Sequence, residues 1–163
     1  MNDEPTFHVE VARASDISRG TLKYLAREFS FRFDYRDRSL VDASYAILFG
    51  DVQIDVVAAS GLLIGAWGYL PVDPAMRSVL PGGSRSGFVH VQGIKPPPRG
   101  MQVLLTDRDS VTVEHDNVSG WTRVGLKDDA REQSGPTLFS DGCAAEVTDV
   151  GALVAVWLRP TVA

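Results

Sequence analysis

Residues 44–69 read SYAILF, then Gly-Asp, then VQIDVVA, then Ala-Ser-Gly, then LLIGAWGY. Each apolar run is too short for a typical helix and is rich in β-branched and aromatic residues. Each break is a turn signal, so the stretch predicts three consecutive antiparallel strands. The same spacing returns 90 residues later. Leu48, Phe49, Asp51, Val57, Gly61, Leu63 and Trp67 coincide with Leu138, Phe139, Asp141, Val147, Gly151, Leu153 and Trp157, seven identities over twenty ungapped positions. Two hairpins under one packing demand would share some of this pattern. A pseudo-symmetric pair would share all of it.

Working outward, Phe7, Val9 and Val11 alternate with His8, Glu10 and Ala12, the period-2 pattern of a half-buried strand. Ser15 or Asp16 suits the N-cap of a helix, and Leu22, Leu25, Ala26 and Phe29 have the spacing of its apolar face. From Phe29 the period shortens. Phe29, Phe31, Phe33 and Tyr35 alternate with Ser30, Arg32, Asp34 and Arg36, which predicts an aromatic-faced strand whose four rings belong to the core. Further strands are expected at 87–92, 101–106, 110–115, 120–126, 137–148 and 151–158. Residues 71–86 contain three prolines and form a long connection, and 93–100 (GIKPPPRG) an extended internal one. The expected fold is mainly β with one N-terminal helix: an antiparallel β-sandwich or partly closed barrel, with a pseudo-repeated hairpin, in a single domain over 1–163.

The 163 residues carry 16 Lys+Arg against 21 Asp+Glu, a net charge of −5 that argues against nucleic-acid binding. That sum hides consecutive blocks of −3, +3, −4, +4 and −5 over 1–12, 13–38, 39–73, 74–100 and 101–163. An acidic surface offered to a basic protein partner is one reading of such blocks. The acidic N-terminus lacks the pattern of a signal peptide, and Val56–Trp67 is shorter than the about 20 apolar residues of a membrane span. With a single unpaired Cys143, the expectation is a cytoplasmic protein without membrane contact.

Catalytic and metal motifs are scarce. His8, His90 and His115 are dispersed and show no ligand spacing, so no metal is expected unless distant strands bring them together. Residues 107–116 (DRDSVTVEHD) lack the glycine and terminal glutamate of a calcium loop. The 82–87 segment GGSRSG does not end as a P-loop does, and strand is expected where that motif needs helix. Cys143 lies among Gly142, Ala144 and Ala145, the setting of a buried structural thiol. No cofactor and no catalytic residue is assigned.

Three functions compete on these grounds. The first is a non-catalytic binding or inhibitory protein, comparable by class alone with bacterial toxin-immunity proteins. Its acidic partner surface would comprise Asp107, Asp109, Glu114, Asp128, Asp129 and Glu132. The second is a small-molecule-binding β fold with a pocket near Trp67 and Trp157 under the 71–86 loop. The third is a hydrolase or metal enzyme, which requires two of the three histidines to converge. A structural or assembly role is the remaining alternative, in which unpaired edge strands would mediate homodimerisation.

Overall fold

A computed structural model describes residues 4–72, 85–127 and 135–161. The first part of the chain forms β1 (Thr6–Val11), a one-turn helix α1 (Ala14–Ile17), β2 (Gly20–Leu25), β3 (Ser30–Tyr35), α2 (Arg38–Asp42), β4 (Ser44–Phe49), β5 (Val52–Val57) and β6 (Leu63–Tyr69). The second forms β7 (Arg85–Gln92), β8 (Gln102–Thr106), β9 (Val111–His115), β10 (Thr122–Leu126), β11 (Thr137–Ser140), β12 (Cys143–Val147) and β13 (Leu153–Leu158). The protein is mainly β. Its strands make a seven-stranded sheet, β1-β7-β11-β12-β13-β10-β9, and a six-stranded sheet, β2-β3-β6-β5-β4-β8, neither closed into a barrel. One cluster of buried side chains draws on both sheets, with Phe31, Ile47, Phe49 and Ile54 from one and Val89, Val124, Phe139 and Val156 from the other.

The two sheets repeat one topology. In the six-stranded sheet, β4-β5-β6-β3-β2 are neighbours in that order; in the seven-stranded sheet, β11-β12-β13-β10-β9 follow the same order. Each pairing within the two sets is antiparallel, and β4 and β11 each also pair in parallel with one further strand, β8 and β7 respectively. Most identities at the 90-residue offset have a structural counterpart. Phe49 and Phe139 are fully buried. Gly61 and Gly151 both have positive φ, 75° and 83°, a conformation that favours glycine. Their carbonyls accept from Val91 N–H and Phe7 N–H, both at 2.8 Å, and those two residues face each other across the β1–β7 ladder. Asp51 and Asp141 both clamp the approach to the first strand of the other unit. Asp51 accepts from Arg108 Nε at 2.9 Å ahead of β9, and Asp141 accepts from Ser18 Oγ and the Arg19 and Gly20 amides ahead of β2.

The expected N-terminal helix is the main correction. Only Ala14–Ile17 is helical, and residues 20–25 form strand β2, paired with β3 along its length. Leu22 and Leu25 fit a helical stripe, but Leu22 and Tyr24 also alternate with Thr21 and Lys23. Where both periods fit, a partner strand already present across the turn decides. Leu22 is buried and Lys23 exposed, as a strand requires. Phe29 is exposed in the intervening turn at φ 51°, not in a core.

Candidate functional site

The two repeats differ where their second and last strands meet. In the C-terminal unit, β10 and β13 pair over Thr122–Gly125 and Ala155–Leu158. In the N-terminal unit, β3 and β6 share only the pairs Ser30–Tyr69 and Phe31–Gly68, and then part. A cleft of about 670 Å³ opens along this split. Its walls include Phe31, Phe33 and Tyr35 from β3 and Trp67 and Tyr69 from β6, while Arg38 and Val41 approach from α2. Asp37 caps α2, its carboxylate accepting from the Ser39 amide at 3.0 Å, so the helix starts where Arg38 reaches the cleft.

Asp55 is the buried charge at this wall. It lies on β5 and is 7 % exposed. Its Oδ2 accepts from the Tyr35 hydroxyl at 2.5 Å and its Oδ1 from the Trp67 indole N–H at 3.3 Å. Burial raises the pKa of its carboxyl, and donation from Tyr35 and Trp67 works against that rise. The same burial, then the charge and hydrogen bond of Asp55, drive the Tyr35 hydroxyl well above its ordinary range. Gly65, directly opposite Asp55, leaves room for this pair, since a Cβ there would fall onto the Tyr35 hydroxyl. A buried carboxyl with a perturbed pKa beside a concave wall is the pattern of a binding or reacting group.

The C-terminal unit holds the counterpart in sealed form. Glu146 on β12 accepts from Trp157 Nε1 at 2.5 Å and from Arg123 Nε at 2.8 Å, and Arg123 Nη1 lies 3.6 Å from Glu114. Arg123 and Trp157 are 6 % and 1 % exposed, so this network carries a buried ion pair with its donors and acceptors engaged. Trp121 packs edge-on against Trp157, with ring centroids 6.0 Å apart.

The structure sorts the sequence candidates accordingly. Trp67 lines the cleft, whereas Trp157 is buried in the other sheet, so the two tryptophans do not share a pocket. Of the 71–86 connection, 73–84 lie outside the described residues, as do Asp128, Asp129 and Glu132. Asp107 is engaged in capping a 3-10 turn, accepting from Ser110 N and Oγ, and Asp109 is exposed in that turn. Glu114 faces Arg123. His8 and His90 stand directly opposite each other on β1 and β7, while His115 lies on β9 at the far edge of that sheet, where its Nδ1 is 2.9 Å from Thr122 Oγ1. Among the described residues no three His, Cys, Asp or Glu are grouped to hold a metal ion. Cys143 is fully buried, and burial pushes its thiol far above the ordinary range. The aromatic strand at 31–35 is only partly core. Phe31 and Phe33 are buried, but Tyr35 is turned to Asp55. No protein-family model matches the chain. No curated protein and no solved structure matches it.

Sequence reading passed over Asp55, Arg123 and Glu146 and placed Tyr35 in the core face of its strand. Asp55 and Glu146 are each the one charged residue of a mostly apolar strand, VQIDVV and CAAEV, and that was the available signal.

Proposed function

We propose that this is a non-catalytic, single-domain binding protein of β-sandwich type, in which the cleft between β3 and β6 takes a small ligand. One observation carries the reading: the last strand of the N-terminal unit parts from its neighbour after two residue pairs, and a buried carboxylate lies at the opening. The twin junction, with the same strand order, stays paired and filled. The exposed aromatic face of Tyr69, the half-buried Trp67 and the acceptor capacity of Asp55 suit a ligand with an apolar body and an N–H or O–H donor. In this reading the protein works in the cytoplasm and needs no cofactor.

The acidic-surface reading has less to support it, because Asp107 caps a 3-10 turn and Glu114 faces Arg123, although Asp107 and Asp109 are both exposed. Native mass spectrometry of the gently purified full chain separates the two. The cleft reading expects a small molecule retained one-to-one by the wild type and lost by Trp67→Ala. A stoichiometric basic protein in its place, with binding indifferent to Trp67→Ala, would overturn it.

A further inference from the structure

We infer that the ligand group recognised at Asp55 is a guanidinium, seated where the side chain of Arg123 sits in the C-terminal unit; the inference rests on the cleft being a ligand site. Ladder registers align the two units. Trp157 faces Ala144 across β12–β13, and Glu146 stands two residues further along β12. Trp67 faces Gln53 across β5–β6, and Asp55 stands two residues further along β5. Both carboxylates sit at a register shift, between Asp55 and Val56 and between Glu146 and Val147. Both accept a tryptophan indole N–H. Asp55 and Glu146 are therefore the same position in two copies of one unit.

Only one copy completes the group. Arg123 faces Trp157 across β10–β13 and reaches Glu146 with two donors, Nε at 2.8 Å and Nη2 at 3.4 Å. Were the β3–β6 register continued past Phe31–Gly68, where the strands part, Arg32 would stand opposite Trp67, the place of Arg123. Arg32 does not serve Asp55. Its Nε pairs with Asp34 at 3.2 Å and its side chain is 65 % exposed. The residue facing it on β2 is Lys23, where Arg123 faces Glu114. Asp55 is also one methylene shorter than Glu146 and recedes from that position. The N-terminal unit thus keeps the carboxylate and the indole beside a cleft whose own arginines, Arg32 and Arg38, line its walls without a hydrogen bond to Asp55 among the described residues.

The chemistry suits a guanidinium better than other donors. Each carboxylate oxygen has two acceptor sites, and Tyr35 and Trp67 each use one, which leaves one per oxygen. A planar guanidinium presents two parallel N–H groups to such a pair. Trp67 and Tyr69 on the same wall supply ring faces over which a delocalised cation stacks. A bound cation also favours the ionised carboxyl that burial disfavours, so affinity should rise with pH above the ordinary aspartate range. The guanidinium can belong to a free small molecule or to an arginine side chain of a partner; the recognition is the same.

The test follows the indole N–H resonances of the full chain at neutral pH, with the Trp67 signal assigned through Trp67→Phe. The probes are methylguanidinium, the neutral look-alike N-methylurea, indole, and the peptides acetyl-Gly-Arg-Gly-amide and acetyl-Gly-Lys-Gly-amide. The expected result is a saturable shift of the Trp67 signal with methylguanidinium or the Arg peptide, and none at Trp157. N-methylurea should bind about tenfold or more weakly, and Asp55→Asn should weaken methylguanidinium by a similar factor. A tighter Arg peptide assigns the group to a partner's side chain, and equal or weaker binding assigns it to a small molecule. N-methylurea matching methylguanidinium, indifference to Asp55→Asn, or a Lys peptide matching the Arg peptide would overturn the guanidinium assignment. If indole alone moves Trp67, the guanidinium inference fails and the cleft reading stands. If no probe moves Trp67, both fail.

Discussion

Neutralising the two equivalent carboxylates without changing their shape should move stability in opposite directions. Glu146→Gln leaves an amide oxygen for the Trp157 indole, but the Arg123 guanidinium, 6 % exposed, loses the charge it faces at 2.8 Å. Breaking a buried ion pair from one side typically costs about 3–5 kcal/mol. Glu114, 3.6 Å from Arg123 Nη1, retains part of the compensation, which points to the lower end, about 3 kcal/mol. For a chain of 163 residues each kcal/mol moves Tm by about 2–4 °C, so Tm should fall by about 6–12 °C. Asp55→Asn removes a carboxyl whose ionised form burial disfavours, although Tyr35 and Trp67 donate to it, and no buried cation is left behind. The sign follows from linkage. With its pKa raised in the folded state, Asp55 favours folding in its protonated form, and that advantage is lost as pH rises from the ordinary aspartate pKa to the folded one. At neutral pH Asp55→Asn should therefore hold or raise Tm, with a flatter stability profile above pH 4 than the wild type. Calorimetric melting of both variants across a pH series checks this. Equal losses for the two variants, or a Glu146→Gln loss below about 3 °C, would refute the assignment of a sealed and an open copy.

Four further outcomes are expected. Gly65→Ala should displace the Tyr35 hydroxyl from Asp55, altering Trp67 emission and costing about 1–3 kcal/mol in urea denaturation. Gly61→Ala should destabilise more than Gly151→Ala: both pay about 1–2 kcal/mol for positive φ, but at Gly61 the new Cβ also lands on the Val91 carbonyl. Asp141→Ala removes the acceptor of Ser18 Oγ and two amides; burial opposes ionisation there, yet these donors hold the carboxyl below its ordinary pKa. The wild type should lose stability as pH falls through that low pKa, and Asp141→Ala should lack this acid-side loss while melting lower at pH 7. Cys143 should resist thiol reagents in the native protein and react once denaturant opens the core, which a stopped-assay thiol count measures.

The strands were largely legible because their apolar runs end at glycine-containing turns, and the expected 44–49, 52–58 and 62–69 correspond to β4, β5 and β6. Residues 20–25 were not, since Leu22, Leu25, Ala26 and Phe29 fit a helical period as well, and only pairing with β3 decides between the two. The repeated hairpin was visible at an offset of 90, but its extent was not. Lys23 in one unit stands where Glu114 stands in the other, and Arg32 and Arg123, though both arginine, lie 91 apart, so the 90-residue offset misses this ladder. The site stayed hidden for a related reason. Asp55 and Glu146 occupy equivalent places, yet their numbers differ by 91 while those of the tryptophans differ by 90, so an ungapped comparison sets Asp55 against Ala145. The split between β3 and β6 has no local signal, since it depends on how far two distant strands stay paired.

The pairing of the outermost strands has a consequence for how the chain must be assembled. β1 comes from the first half of the chain yet flanks the second half's strands, and β8 comes from the second half yet flanks β4. Each half lends one border strand to the other, so neither contains its own complete sheet. A chain divided between β6 and β7 should give two pieces that are insoluble or unfolded alone and that recover the native spectrum when co-expressed. Such complementation, of the kind a split reporter shows, is the expected consequence of the exchanged border strands.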